Sequence, residues 1–536
     1  MSPLPRRDRL EEYAVKGAHL ALRELGQAPE QRAARRLAST APPTSGGGKR
    51  VVIVTPRSWA VHVQWEAVIG HALRARGAEV SFITCGGELE ICDRVNTYEG
   101  PPVPCRGCRK YVHDSLDAHG FRRRTIREGW DDATDDAWPE LDELSLAELR
   151  VVVDPGSGLP LGELVNIPVS WFLMGSELDD DALAPITYRR FLRSARRIAR
   201  GLERALDEER PETVLLLNGL FLFEAIAWEL CKRRGIDVVT YERGFIKETL
   251  IFRRDEPACL GDVSHLWDRW RDVVLAGEEE DRLEAYLEDR RLGRRTIDRY
   301  WSQATFDPVE QPEKGRLVAL FTNLTWDSAV IGQGMAFNSI RAWLVAAIDA
   351  FAARPEHRLV IRIHPAEVKL PGKQTREPLG AFLDERYPVL PSNVTVIAAD
   401  DPRSSYPLME ASDFGLVFTS TTGMELALHG KPVVVAGRTH YRGKGFTTDV
   451  AEPAEFVQAL DDLLEDPSRG TPDRDLARRY AYLFFFRAPI PFRGVVEHVP
   501  GLVDLQLRDL SEVQSGTDPS LDRITGGILD GLDFCN

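Results

Sequence analysis

The sequence predicts an α/β protein of two successive domains, each a parallel sheet covered by helices. Three observations carry this. The chain has 536 residues, 43% of them hydrophobic and 28% charged, enough to bury two ordinary cores and too long for one. A strand–helix–strand order begins at "RVVIVTPR" and starts afresh at "RLVALFTN". The strands are continuous apolar runs, as in sheets covered on both faces, and strands joined through helices run parallel.

The elements follow in order. Residues 1–48 read as a helical preamble, "LEEYAVKGAHLALREL", and a linker, "APPTSGGGKR", whose Pro, Ser and Gly cannot continue a helix. Residues 49–310 read as the first domain. There "RVVIVTPR" is a strand, "VQWEAVIGHALRARG" an amphipathic helix and "AEVSFIT" the next strand. A cysteine-bearing loop and helical stretches follow, notably "YRRFLRSARRIARGLERALDEE". Then "ETVLLLNG", "FLFEAIAWELCKRRG" and "IDVVTYERG" repeat strand, helix, strand, which makes the domain Rossmann-like. The charged "GEEEDRLEAYLEDRRLGRRTIDRYW" is predicted helical and closes it. Residues 311–475 read as a second Rossmann-like domain: strands "RLVALFTN", "HRLVIRIHP", "VTVIAAD" and "SDFGLVFTS", with helices "SIRAWLVAAIDAFAARP", "SSYPLMEAS" and "GMELALHG". The two are expected to face each other across a cleft. Residues 476–536 read as a crossover helix and tail, although a simple core helix explains "DLARRYAYLFFFRAPIPF" equally well.

Composition excludes several classes. Net charge is −15 and the pI about 5.4, so nucleic acid is not an expected partner and any phosphate must be held locally. No apolar run is long enough to span a bilayer, and "MSPLPRRDRLEEYAVKG" lacks the apolar segment of a signal peptide, so a cytoplasmic protein is expected. Peripheral membrane association and oligomeric state stay open. Four of the seven cysteines, Cys85, Cys92, Cys105 and Cys108, fall in one short Pro/Gly-rich segment. One C-x-x-C plus two further thiolates fits a structural zinc site, against the alternative of four separate thiols. No redox cofactor is expected.

In open parallel sheets ligands bind beyond the carboxyl ends of the strands. In the second domain those loops carry Thr322, Asn323, Thr325, Trp326 and Asp327; Arg362 and His364; Ser404 and Ser405; and Ser420, Thr421 and Thr422. A cation beside a hydroxyl-rich helix start is what a diphosphate or phosphodiester needs, against the bland alternatives of a helix cap and a structural His-Pro. The "RTHYRGKG" segment adds Arg438, Tyr441 and Lys444.

The run "TSTTGMELALHGKPVVVAGRTHYRGKGFTTD", with "RIHP" and "TNLTWDSAV", resembles the capsular polysaccharide biosynthesis glycosyltransferases, a group that includes Kdo transferases of GT-B fold. The resemblance is strong over about 317–450 and looser over "LLLNGLFLFEAIAWELCKRRGIDVVTYERG". It implies a nucleotide-sugar donor bound by the second domain, with His364, Ser420 and Thr421 at the nucleotide, and a carbohydrate acceptor bound by the first. Glu425 stands where many GT-B enzymes place a ribose-binding acid. The paired acid of the E-x7-E pattern would fall at Val417, a departure that favours a CMP or CDP donor.

The catalytic group is sought in the first domain. Glu242, in "VVTYERGF", fits a general base or nucleophile, against a salt bridge to Arg243 or Arg254. His62, between Trp59 and Trp65, is the second candidate, against a packed loop. Asn218 is a secondary sugar contact. The expected activity is sugar transfer. The alternatives are a teichoic-acid-type CDP-polyol phosphotransferase, a sugar-nucleotide 2-epimerase and a non-catalytic assembly protein.

Overall fold

The computed structural model describes residues 16–39, 47–87, 89–128, 138–294, 304–370 and 372–535. The start of the predicted N-terminal helix, linker residues 41–46 and the end of the charged stretch, 295–301, lie outside the described residues. The chain forms two compact units. One comprises the residues up to Phe172, Glu177–Cys259 and Ala488–Asn536; the other comprises Leu173–Ser176 and Leu260–Arg487.

In the first unit, β1 (Arg50–Val54), β2 (Glu79–Thr84), β3 (Arg122–Thr125), β4 (Thr213–Leu217) and β5 (Asp237–Arg243) pair in parallel in the order β3-β2-β1-β4-β5. Apolar strands are buried on both faces by helices Ala60–Ala75, Ala184–Glu209 and Leu222–Arg234, all three predicted from spacing. Five strands of this unit were not predicted, two of them, Val495–Val499 and Leu502–Leu505, forming a separate antiparallel pair. β3 reads "RRRT", without an apolar residue, and is held at the sheet edge by pairing with β2 and by ion pairs of its arginines with Asp117, Glu208 and Glu209. β6 (Thr249–Arg254) turns back antiparallel on β5, and β13 (Ile490–Pro491) adds antiparallel to β6. The helix Pro29–Ala38, expected to be a separate preamble, belongs to this unit and packs on helix Cys105–Ala118.

The second unit holds β7 (Leu317–Phe321), β8 (Arg358–Arg362), β9 (Val394–Ile397), β10 (Phe414–Val417), β11 (Val433–Val435) and β12 (Thr448–Asp449). They run parallel in the order β9-β8-β7-β10-β11-β12, the doubly wound arrangement. The predicted boundary at 310/311 moves to Cys259/Leu260. The reason is the charged helix Gly277–Arg291, whose acids pair with the far end of the chain: Glu280 with Arg478 at 2.8 Å and Glu279 with Arg487 at 2.6 Å, with Tyr286 and Phe485 rings 4.8 Å apart. The predicted tail is likewise divided. Its helix Arg474–Tyr482 and the turn Leu483–Arg487 stay with the second unit, and Ala488 onward joins the first.

Candidate functional site

In both sheets the strand order reverses beside the first strand, between β1 and β4 and between β7 and β10. Loops leaving adjacent strands there diverge to opposite faces and leave a crevice.

In the second unit that crevice is a cavity of ≈ 190 Å³. His364, Ser404, Ser405, Ser420–Thr422 and Glu425 line it, so the loops predicted after β8, β9 and β10 do converge. His364 is positioned by its own N–H, which donates to Thr322 Oγ1 at 2.9 Å, and its Nδ1 accepts from the Ala366 N–H at 3.2 Å. With Nδ1 an acceptor, the ring proton is on Nε2. Burial, seconded by Arg362, lowers the His364 pKa to about 4, so the ring is a neutral donor near pH 7.

The hydroxyl turn is more self-contained than its sequence suggests. Ser420 Oγ donates to Thr422 Oγ1 at 2.9 Å and accepts from the Thr422 N–H at 3.2 Å, while the Gly423 N–H goes to the Ser420 carbonyl. Gly423 is required here, because a Cβ would meet the Tyr441 hydroxyl at 2.2 Å. The backbone donors of Thr422 and Gly423 are therefore spent within the turn, and side-chain hydroxyls line the cavity. Tyr441 itself is buried and donates to the Ser420 carbonyl at 2.5 Å, a supporting role.

Several predicted ligands lie elsewhere. Arg362 is 2% exposed and its guanidinium is taken by the carbonyls of Ala398, Asp401 and Arg403, so it ties down the loop after β9 rather than offering a cation to the cavity. Trp326 is a core residue whose indole N–H donates to Thr375 Oγ1 at 2.8 Å. Asp327 accepts from the Ala329 N–H at 2.9 Å and organises its own turn. Lys444 donates to Ser264 at 2.5 Å, and Arg438 lies at the surface near Met335. Neither lines the cavity, nor do Asn323 and Thr325. Asn323 keeps a buried Oδ1 without a partner at the end of β7, and Thr419 a buried Oγ1 without one at the end of β10.

The cations that do line the cavity are Arg290 and Arg291, with Phe306, Tyr406 and Met409. Sequence reasoning missed them, since an arginine pair ending an acidic helix reads as a solvated face. Glu425 accepts from Arg290 Nη2 at 2.5 Å and from the Tyr406 hydroxyl at 2.5 Å, so both its oxygens are engaged.

The crevice of the first unit is differently built. Arg57, 5% exposed, donates to Asp93 at 2.9 Å and to Glu224, and lies over the Trp59 and Phe221 rings. Asp93 also accepts from the Leu222 N–H at 2.7 Å, joining the two loops. His62 sits between Trp59 and Trp65, with Nδ1 3.2 Å from the Tyr241 hydroxyl. The structure does not bring Glu242 to it. Glu242 lies inside β5, where alternation puts it on the face opposite Tyr241, and its Oε1 accepts from the Arg243 N–H at 2.8 Å. The salt bridges weighed for it go elsewhere, Arg243 to Glu497 and Arg254 to Asp237. Asn218 closes its own turn, accepting from the Leu220 N–H. A larger cavity in this unit, ≈ 420 Å³ beside Glu163, Gly219, Trp228 and Lys232, gathers none of the predicted residues.

The zinc expectation is corrected. Among the described residues no group of three or more His, Cys, Asp or Glu is placed to hold a metal ion. Cys108 Sγ accepts from the Ser58 N–H and Cys85 Sγ from the Gly87 N–H, and burial pushes the Cys85 thiol up to about 12. These two sulfurs serve backbone amides, and Cys105 and Cys108 lie near enough to Cys85 to add to its rise. Among the described residues no helix is long and apolar enough to cross a membrane.

Fold and crevice together define the second unit as a doubly wound domain with a polar ligand cavity at its switch point. Residues 280–470, which include every residue lining that cavity, match the model of the capsule polysaccharide biosynthesis protein family. The resemblance read from the loop motifs agrees with that match. No curated protein matches the chain. Among solved structures it is similar to the KpsC β-Kdo 2,7 transferase of Thermosulfurimonas dismutans, at 16% identity and a TM-score of 0.33, over 60% of this chain and 89% of that one. It is also similar to that organism's KpsC β-Kdo 2,4 transferase, at 16% identity and 0.35, over 57% and 88%. The UDP-GlcNAc 2-epimerase of Neisseria meningitidis is similar at 12% identity and 0.26, over 81% and 97%.

Proposed function

We propose that the protein transfers a sugar from a nucleotide-activated donor, a CMP-sugar, to a hydroxyl of a polysaccharide or glycoconjugate, with the nucleotide held in the cavity at the end of β7 and β10. The observation that carries the donor class is the charge of that cavity. Its charged lining residues are Arg290, paired with Glu425, and Arg291, whose partner Glu410 lies outside the lining; the lining itself sums to two positive and one negative, with His364 neutral. One net positive charge with hydroxyl and imidazole donors suits the single phosphodiester of a CMP-sugar better than the two charges of a diphosphate. The absence of a second acid at Val417 points the same way.

Calorimetry with CMP, CDP and UDP, then CMP release from CMP-Kdo and CMP-sialate with and without acceptor oligosaccharide, tests the reading. CMP should bind at least as tightly as CDP or UDP, and release should need acceptor. Tighter binding of CDP with turnover of CDP-glycerol would replace it by polyol-phosphate transfer. Product from a UDP-sugar alone would replace it by epimerisation.

A further inference from the structure

Behind His62 runs a hydrogen-bonded chain that the fold assembles from three elements. The Tyr241 hydroxyl, on β5, has one hydrogen, and it goes to Glu66 Oε1 at 2.7 Å. Glu66, on helix Ala60–Ala75, takes the Thr55 hydroxyl on its other oxygen at 2.6 Å. Since the tyrosine proton is committed to Glu66, the hydrogen in the 3.2 Å contact between Tyr241 and His62 comes from Nδ1. That tautomer leaves the ring's lone pair on Nε2. Glu66 and Tyr241 are buried, 2% and 0% exposed, whereas His62 is half-buried.

We propose that His62 is the general base toward the acceptor hydroxyl and that Tyr241 and Glu66 form a relay behind it, with Glu66 the final holder of the proton. The inference rests on the transferase reading for the identity of the hydroxyl. In the step, the acceptor O–H bond breaks and its proton goes to Nε2. The Nδ1 proton passes to the Tyr241 oxygen, and the Tyr241 proton passes to Glu66, which becomes a neutral acid. The acceptor oxygen bonds the anomeric carbon, and the nucleotide phosphate leaves with the electron pair. Afterwards the chain is reversed: Glu66 donates to Tyr241, Tyr241 to Nδ1, and the ring proton sits on Nε2.

The surroundings suit such a device. Burial, with Arg243 and Arg57 nearby, lowers the His62 pKa to about 3, so the imidazole does not keep a second proton. Burial raises that of Glu66 to about 8, against the Thr55 and Tyr241 hydrogen bonds and the Arg57 charge that lower it, and Glu224 adds to the rise. Glu242 and Glu224 act on Tyr241 in the same direction as Glu66. Arg243 is paired with Glu497, and Arg57 with Asp93 and Glu224. Burial also raises Glu224, which is bonded to Arg57 and acts on Glu66 and Tyr241 through its charge.

The base is competent only with Glu66 ionised, so transfer should rise with pH through about 8. Nitrogen NMR of the full chain, with His62 assigned by comparison with His62→Gln, reads the ring directly. The proton should move from Nε2 to Nδ1 as pH rises through that value in wild type, and neither Glu66→Gln nor Tyr241→Phe should show the change. The two variants should also lose the basic limb of the transfer profile while CMP affinity stays within about twofold. A His62 tautomer constant from pH 6 to 9.5, or an unaltered limb in both variants, would overturn the relay. A wild type that shows the switch but transfers no sugar would fail the functional reading and leave the relay standing.

Discussion

The two switch points share one strand order and differ in what their loops deliver. Beside β1 and β4 the crevice is a buried set of ionisable groups, Arg57, Asp93, Glu224 and Glu66, held by side-chain hydrogen bonds. Beside β7 and β10 it is a cavity whose lining includes six hydroxyls and a neutral imidazole, with its buried acid, Glu425, paired to Arg290. Topology therefore fixes where a ligand can sit, and loop chemistry decides whether that place moves protons or holds an anion.

The comparison breaks most visibly in stability. Arg57→Met removes the one cation between two buried carboxylates, and losing one partner of a buried ion pair typically costs about 3–5 kcal/mol. Denaturant unfolding should show a loss of that order. Arg291→Ala, at the exposed Arg291–Glu410 pair of the second unit, should change stability by less than about 1 kcal/mol. Equal losses would mean that the two crevices are not built on different electrostatic terms.

Turnover separates them next. His62→Asn should lower transfer at least about a hundredfold with CMP affinity retained, as for loss of a general base. Glu242→Gln, on the opposite face of β5, should keep more than about a tenth of the activity, since no proton passes through it. The reverse ranking in steady-state kinetics would return the catalytic role to Glu242.

A smaller effect is the pH dependence of stability. Burial raises the Glu66 pKa to about 8 from an ordinary value of 4.5, so its contribution is fully present below about pH 4.5 and is lost as pH rises through 8. The amide that replaces the carboxyl in Glu66→Gln cannot ionise. The melting temperature of that variant relative to wild type should therefore climb between pH 5 and pH 9. A constant difference would mean that Glu66 titrates normally.

The sequence made the strands and helices legible wherever apolar spacing was the cause, as in β1, β2, β4, β5 and β7 to β10 of the second sheet. It was silent where long-range pairing was the cause. β3 forms from "RRRT" because β2 and Glu209 are there, and the unit boundary moves because Glu279 and Glu280 meet arginines 208 and 198 residues on. The same holds for the sites. His364 and Ser420 to Thr422 were legible because strand ends announce themselves, and Glu425 through the family resemblance. Arg57 could not be read, since its carboxylates lie 36 and 167 residues away. Arg362 was misassigned for a related reason: a cation at a strand end looks available until the three carbonyls that occupy it are seen.

The smallest expected effect is also the most specific to the second crevice. An arginine-like, charged His364 would make a charge-assisted bond worth about 1.5–3 kcal/mol to a phosphate, and its removal would cost affinity roughly ten- to a hundredfold. The structure makes it a neutral donor instead. Its Nδ1 is satisfied by the Ala366 N–H, its proton is on Nε2, and burial with Arg362 lowers its pKa to about 4. A neutral hydrogen bond contributes about 0.5–1.5 kcal/mol, so His364→Ala should weaken CMP binding only about two- to tenfold. Because the imidazole gains its proton only near pH 4, the ratio of wild-type to His364→Ala affinity should stay level from pH 8 to 5.5. Taking the ratio cancels the ionisation of CMP itself, which titrates near about pH 6. Calorimetry across that range decides the matter: a ratio that grows severalfold as pH falls through 6.5 would show a cationic His364, and the cavity would then carry enough positive charge for a diphosphate donor.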